Sequence, residues 1–238
     1  MLNKKTNLFL HPPLFLRRFF DLQFRTIEMN LKNTISKDKV ESVLDFGSGQ
    51  CSYKHLFNSD TQYKTLDPYQ IADYNSLEQI NEKFEIILAL EVLEHIKNPT
   101  ETILSLHDYL TPSGKLLIST PFSARIHRVP KDYFRFSIDY FQELKEIEEV
   151  KEIKIYRRGN NIDSLYSKVL YIVLRSLDQK RPYLIVIALF FLPLLSILFI
   201  LSRVIESSAV KIIDDDPLGF FIEISFWQRQ NGSQQEKE

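Results

Sequence analysis

The sequence predicts an α/β protein built on a mostly parallel sheet, and three observations carry that expectation. Short apolar strand patterns alternate with helix-length segments between Val40 and Ile147. The first strand, Val40 to Phe46, runs directly into a glycine turn, Gly47-Ser48-Gly49. The composition is that of an ordinary globular chain: of 238 residues, 44% are hydrophobic and 26% charged, with only 6 Gly, 10 Pro and one Cys. These numbers exclude collagen-like, disordered and disulfide-scaffold classes. Cys51 alone can form neither an intramolecular disulfide nor a cysteine-based zinc site, so a reducing compartment is expected. With 30 Lys and Arg against 31 Asp and Glu, the formal net charge of -1 gives no global case for nucleic-acid binding, and none is expected.

The elements follow in order. The first 12 residues hold Lys4 and Lys5 but no long apolar core, so no signal peptide is expected. From Leu14 to Leu31, Leu16, Phe20, Phe24, Ile27 and Leu31 recur at helical spacing between charged residues, which predicts an amphipathic helix. Such a helix either packs on the sheet or lies on a membrane interface, since Met1 to Lys32 holds six Lys and Arg against two acids. A polar linker, Lys32 to Lys39, leads to the Val40 to Phe46 strand. A helix-like segment, Ser52 to Phe57, a strand, Tyr63 to Leu66, and a weak segment around Ile71 to Ile80 come next. Phe84 to Ala89 reads as a buried strand, and Pro99 to Leu110 as a helix with Asn98 as N-cap and Pro at its first position. Thr111 to Gly114 is a turn feeding the strand Lys115 to Thr120. Ser137 to Ile147 is helical, Val150 to Tyr156 alternates like a strand, and Phe220 to Trp227 is the last strand.

Chemistry concentrates at the first turn. Glycine lets a backbone approach a ligand closely, and a helix start offers unpaired N–H groups. Asp45 stands two residues before Gly47, at the strand's end. A second acid, Asp67, ends the next strand 18 residues after Gly49, where it could accept hydrogen bonds from ribose hydroxyls. Without a ligand the same glycines would merely make a tight turn. A dinucleotide reading is weakened because Cys51 replaces the third glycine and because Asp45 would repel a pyrophosphate.

From these residues the chain resembles the class I S-adenosylmethionine-dependent methyltransferases, over about Val40 to Ile147 plus the last strand. Two further motifs support it: Phe84-Glu85-Ile86-Ile87-Leu88-Ala89-Leu90-Glu91-Val92-Leu93-Glu94-His95-Ile96, similar to that family's fourth strand and its E-V-L-E-H segment, and Leu110-Thr111-Pro112-Ser113-Gly114-Lys115-Leu116, similar to its L-x-P-G-G turn. The resemblance implies a Rossmann-like, doubly wound, seven-stranded, mostly parallel sheet with an antiparallel last strand. It implies S-adenosylmethionine as cofactor, with Asp45, Gly47 and Gly49 at its methionine part and Asp67 at its ribose. Asp73 and Tyr74 are the adenine-side candidates by position, and Glu91 is a further cofactor candidate. Cys51, Glu85 and Ser113 depart from the family pattern.

The acceptor side is expected in the loop after the fifth strand, His127-Arg128-Val129-Pro130-Lys131-Asp132-Tyr133-Phe134-Arg135-Phe136-Ser137, because ligands of open α/β sheets bind beyond the carboxyl ends of strands. It resembles a loop of family members that act on small molecules or cell-envelope precursors. His127 is the expected general base, since an imidazole titrates near neutrality. Tyr133 and Arg135 are expected to position the acceptor, Arg135 suiting carboxylate or phosphate; alternatively Asp132 and Arg135 only pin the loop. His95 is a weaker substrate-binding candidate. Neither Glu91 to His95 nor the scattered His11, His55 and His107 has metal-ligand company in sequence, and no metal is expected.

From Tyr183 to Leu201, 17 of 19 residues are apolar or aromatic, interrupted only by Pro193 and Ser196. A helix of this length would be about 28 Å long, close to a bilayer's hydrocarbon thickness. Strands on both sides must return to one sheet, so the expectation is a helical hairpin broken at Pro193, or a tilted interfacial helix, dipping into one leaflet. A buried core helix and a single transmembrane helix are the alternatives. Lys180, Arg181 and Arg203 flank the run, and Arg157 to Arg181 holds six Lys and Arg against two acids, suiting anionic headgroups.

The domains expected are an N-terminal helix and linker (1–39), a cofactor-binding core (40–157), a basic and hydrophobic membrane-associating insertion between strands six and seven (158–218), the final core strand (219–228) and a polar tail (229–238). The function expected is transfer of a methyl group to a small-molecule or lipid-linked acceptor (a quinone, glycan or cell-envelope precursor) at a hydroxyl, on the cytoplasmic face of a membrane. The alternatives are a membrane-attached binding or assembly protein that has lost turnover, and an NAD or nucleotide-sugar enzyme.

Overall fold

The computed structural model describes residues 21–35, 39–50, 53–127, 131–178, 182–207 and 215–228. It contains a six-stranded sheet in the order β2-β1-β3-β4-β6-β5, made of β1 (Ser42–Phe46), β2 (Gln62–Leu66), β3 (Phe84–Leu90), β4 (Leu110–Pro121), β5 (Val150–Arg158) and β6 (Gly219–Phe226). Pairings β1–β2, β1–β3 and β3–β4 are parallel. The β5–β6 pair runs antiparallel: Trp227 N donates to Glu149 O at one end, and Leu218 N donates to Arg158 O at the other.

Six strands replace the seven expected. The missing one is the Ile71 to Ile80 segment, which keeps a single parallel bridge, Leu66 to Tyr74, before a 3-10 turn at Leu77–Gln79. Ala72-Asp73-Tyr74-Asn75-Ser76 has too few β-branched residues and too many turn formers to hold a strand. Ser52 to Phe57 likewise shrinks to one 3-10 turn, Lys54–Leu56; Cys51 and Ser52 lie outside the described residues. The proposed turn Thr111 to Gly114 is absorbed into β4, with a register shift between Phe84 and Ile86 on its partner.

The chain divides into two compact units. The first comprises Met1–Lys37, Pro121–Arg128 and Arg157–Phe221; the second comprises Asp38–Thr120, Val129–Tyr156 and Ile222–Glu238. In the second, Val43, Leu44, Ile87, Leu88, Leu116, Leu117 and Ile118 are wholly buried, as near-continuous apolar runs of parallel strands require. It also holds α2 (Pro99–His107) and α3 (Ile138–Glu143). Asn98 precedes α2 by position, but its side chain makes no capping bond; its amide donates to Glu101 Oε2 at 2.9 Å.

The first unit is helical: α1 (Leu22–Ile35), α4 (Asn161–Asp178) and α5 (Pro182–Ser207). The part of the N-terminal helix expected before residue 21 lies outside the described residues, and α1 runs through Ile35 into the segment read as linker. Leu22, Tyr166, Val169, Leu198 and Leu218 form its core, with Phe191, Leu195 and Phe199 packed against it. Its helical pair differs from the expected hairpin. Pro193 lies inside the continuous α5, and the two helices are α4 and α5, joined across residues 179–181. Pro193 faces solvent, while Phe191, Leu195, Leu198 and Phe199 pack on both sides of it in sequence and hold the two halves in one helix. Among the described residues no helix is long and apolar enough to cross a membrane; the side chains of Leu184, Ile185, Ala188 and Leu192 are not among them.

Candidate active site

The cofactor candidates converge at the carboxyl ends of β1 and β2. Gly47 and Gly49 both have positive φ, 72° and 52°, a region that glycine alone enters at no steric cost. Gly47 N donates to Leu66 O at 2.7 Å, tying the turn to the end of β2. A Cβ on Gly47 would stand 2.5 Å from Val92 Cγ2, so this glycine also permits close packing beneath the turn; a Cβ on Gly49 would meet only Gln70, at 3.9 Å.

Both acids are buried, and each has a defined partner. Asp67 Oδ2 accepts from Gly49 N at 3.1 Å and Oδ1 from Tyr69 N at 2.8 Å, so the carboxylate is held by amides with further lone pairs available to a ligand's hydroxyls. Asp45 Oδ2 accepts from the Tyr63 hydroxyl at 2.6 Å. Burial pushes the Asp45 carboxyl up to about 6, a rise that the Tyr63 hydrogen bond opposes and the charge of Asp67 reinforces. Tyr63 is a site residue that sequence reasoning missed. The period-2 alternation of β2 places it on the same face as Thr65, and that was its one available signal.

Asp73 and Tyr74 lie beside the same strand end. Asp73 Oδ2 accepts from Thr65 N at 2.9 Å and Thr65 Oγ1 at 2.8 Å. Burial would raise this carboxyl, but Thr65 and Lys64 together hold it below the usual range. Tyr74 N donates to Thr65 O, and the Tyr74 hydroxyl bonds Glu82 Oε1, which helps push that phenol up to about 12. Both residues therefore bridge the loop to β2.

Glu91, at the end of β3, is the single non-glycine residue with positive φ, 57°, among the described residues. Its N–H donates to Ser119 O at 2.8 Å and its Oε1 accepts from Ser119 Oγ at 2.8 Å, so β4 fixes it twice. Such strain in a bulky residue persists only when its surroundings over-determine it. Ser119 had no sequence signal.

The acceptor candidates divide between the units. Tyr133, Arg135 and His95 come together in the second: Tyr133 N donates to Glu94 O at 2.7 Å, and His95 Nδ1 bonds Lys131 O. Arg135 forks onto Asp132, with Nη2 2.8 Å from Oδ2, and this bond chiefly drives the guanidinium above its ordinary value. The loop-pinning role weighed for Asp132 and Arg135 is thus present in the structure. His127 belongs to the first unit, where its Nδ1 lies 3.3 Å from Arg125 O; Arg128 to Pro130 lie outside the described residues. The expectation that His95 has no metal-ligand company needs correction. The 3-10 turn Leu93–His95 brings His95 Nε2 within 3.8 Å of the wholly buried Glu94 Oε1. Carboxylate and imidazole are both ligand types, and Glu94 and His95 fall in a group able to hold a metal ion.

A parallel sheet with a glycine turn after its first strand and a ribose-type acid after its second defines a protein of the nucleotide-cofactor α/β class. The chain belongs to the methyltransferase-domain family: the family model described as "Methyltransferase domain" matches residues 22–153, more than half of its 238 residues. It therefore carries a class I S-adenosylmethionine-dependent methyltransferase domain. Among curated proteins, it is 34% identical over 90 residues to a ubiquinone biosynthesis O-methyltransferase of Pseudomonas syringae pv. tomato, covering 38% of this chain and 36% of that one. It is 34% identical over 65 residues to the protein of that name from Ruegeria pomeroyi, covering 27% and 24%. The matched part thus spans about a third or less of these relatives' length. The fold matches a SAM dependent methyltransferase from Archaeoglobus fulgidus, with TM-score 0.51, 12% identity and coverage of 88% and 97%. It also matches an O-methyltransferase from a trans-AT PKS multienzyme of Brevibacillus brevis in complex with S-adenosyl-L-homocysteine, with TM-score 0.53, 12% identity and coverage of 95% and 81%.

Proposed function

We propose that the protein transfers a methyl group from S-adenosylmethionine to a hydroxyl of a small or lipid-linked acceptor, such as a quinone, glycan or cell-envelope precursor, at the cytoplasmic face of a membrane. The observation that carries the reading is the pair of buried acids around the glycine turn, Asp45 on Tyr63 and Asp67 on Gly49 N. This donor set fits a cofactor with a cationic end and a ribose: a buried carboxyl near pH 6 gains from a positive neighbour, and Asp67 retains acceptor capacity for ribose hydroxyls. When bound, S-adenosylmethionine supplies an electrophilic methyl group. Asp45 would hold its amino-acid end and Asp67 its ribose, while Gly47 and Gly49 admit it close to the backbone. The names of the curated relatives, O-methyltransferases of ubiquinone biosynthesis, support an oxygen acceptor and a quinone-type precursor.

Arg135 and Tyr133 would orient the acceptor. His127 would take the acceptor's hydroxyl proton on Nε2, its Nδ1–H facing the Arg125 carbonyl. Proximity and orientation supply most of the rate in a displacement of this kind. Calorimetric titration with S-adenosylmethionine tests the reading first: absence of binding would overturn it in favour of an assembly role. Mass spectrometry of lipid and glycan extracts from a deletion strain then seeks a species that has lost one methylene increment. An unchanged extract would remove the lipid and glycan acceptors.

A further inference from the structure

The helical unit presents an apolar surface that the methyl-transfer reading does not use. On α5, Tyr183, Val186, Ile187, Leu189, Phe190, Leu194, Ile197, Ile200, Leu201 and Val204 are all exposed, Val186 at 66%, Phe190 at 79% and Ile200 at 60%. At about 100° per residue they fall within an arc of roughly 160°, and the opposite arc is occupied by Phe191, Leu195, Leu198 and Phe199 packed with Tyr166 and Val169 of α4. Among the described side chains of α5 none is charged, and the polar Ser196 lies outside both arcs. A surface helix of a water-soluble fold turns charge toward solvent, and a two-helix seam uses a narrower stripe; an arc this wide is suited to hydrocarbon.

Three features choose the geometry. The chain entering α4 is tied to the chain leading into β6: Ser164 Oγ donates to Asp216 O at 2.7 Å, and Asn161 Nδ2 donates to Asp215 Oδ1 at 2.8 Å. The companion helix α4 carries Lys168, Arg175 and Asp178, which a bilayer interior would exclude. Basic residues also bracket the apolar run in sequence, Lys180 and Arg181 before it and Arg203 after it. That sequence pattern suits an anionic headgroup layer and opposes a crossing by the pair.

We propose that α5 lies in the plane of a membrane, with the Val186, Phe190, Leu194, Ile197 and Ile200 face immersed in one leaflet of an anionic bilayer and α4 on its water side. The proposal deepens the membrane assignment in the proposed function and rests on it, while standing apart from methyl transfer. The surface would hold the enzyme where lipid-linked acceptors are concentrated.

The experiment is flotation of the full chain with vesicles of equal parts phosphatidylglycerol and phosphatidylcholine, compared with phosphatidylcholine alone. Wild type is expected to float with the anionic vesicles and at least tenfold less with neutral ones. The Phe190→Glu/Ile197→Glu variant is expected to lose flotation at least tenfold. Phe190→Leu/Ile197→Leu is expected to retain it, and both variants should bind S-adenosylhomocysteine by calorimetry as wild type does. Flotation unchanged in the glutamate variant would overturn this surface while leaving the membrane assignment standing. Wild type that stays with the unbound fraction would overturn both. A dimer in light scattering that the glutamate variant dissolves, without vesicle binding, would assign the face to a second copy of the chain. Loss of S-adenosylhomocysteine binding in wild type would remove the methyltransferase reading and leave the vesicle result to judge the surface alone.

Discussion

Tyr63 donates its hydroxyl to Asp45 Oδ2 at 2.6 Å, from the strand beside the one that carries the acid. A buried carboxylate that would otherwise lean strongly toward its neutral form is thereby kept ready to ionise. Tyr63→Phe should push the Asp45 carboxyl higher and weaken S-adenosylmethionine binding at neutral pH by roughly three- to tenfold, the range of one ordinary net hydrogen bond. Calorimetry on the two proteins checks it; equal affinities would mean that Asp45 is not at the cofactor.

The Asp45 pKa of about 6, against 3.8 unperturbed, gives two slopes of opposite sign. The folded state binds the proton more tightly, so the group's contribution to stability is fully present below 3.8 and is lost as pH rises through 6. Affinity for a cationic ligand rises over the same window. S-adenosylmethionine affinity should therefore fall by up to about tenfold per pH unit below 6, and Asp45→Asn should abolish both trends. Titrations and melting curves at several pH values, on both proteins, measure them.

The two glycines of the turn should respond differently to alanine. Gly47→Ala combines a positive φ with a contact 2.5 Å from Val92 Cγ2, and should cost roughly 2–4 kcal/mol of stability. Gly49→Ala has space for its Cβ and pays only for φ, about 1–2 kcal/mol. Denaturant unfolding ranks them; Gly49→Ala as the more damaging change would refute this account of the turn.

His127→Ala should lower turnover at least about tenfold with cofactor affinity unchanged, since a positioned base contributes that much or more. Full activity would remove His127 from the mechanism. Arg135→Lys should raise KM for an anionic acceptor more than it lowers kcat, because lysine cannot fork onto Asp132 as Arg135 does.

The cofactor side was legible in the sequence because its requirements are local. Positive φ at Gly47 and Gly49 and an acid at the end of each strand are properties of a few consecutive residues. Tyr63 and Ser119 were not legible, because each reaches its acid from a neighbouring strand, and cross-strand register is not written in either segment alone. The helices went astray for a different reason. Pro193 is a helix breaker by local rule, yet packing of Phe191, Leu195 and Leu198 overrides it; Pro182, at the first position of α5, was the proline that marked a boundary. The third strand was lost because a segment of Asp, Asn and Ser can keep one bridge, at Tyr74, without sustaining a ladder.

The backbone of Glu91 has a consequence for anyone who would improve this protein by heat selection. A residue held at φ 57° is a point where glycine or asparagine is conformationally cheaper, so a library screened for thermal survival alone should enrich those two at position 91. The survivors would give up the carboxylate that Ser119 now orients, and a screen blind to cofactor binding would record that exchange as progress whatever it did to the site.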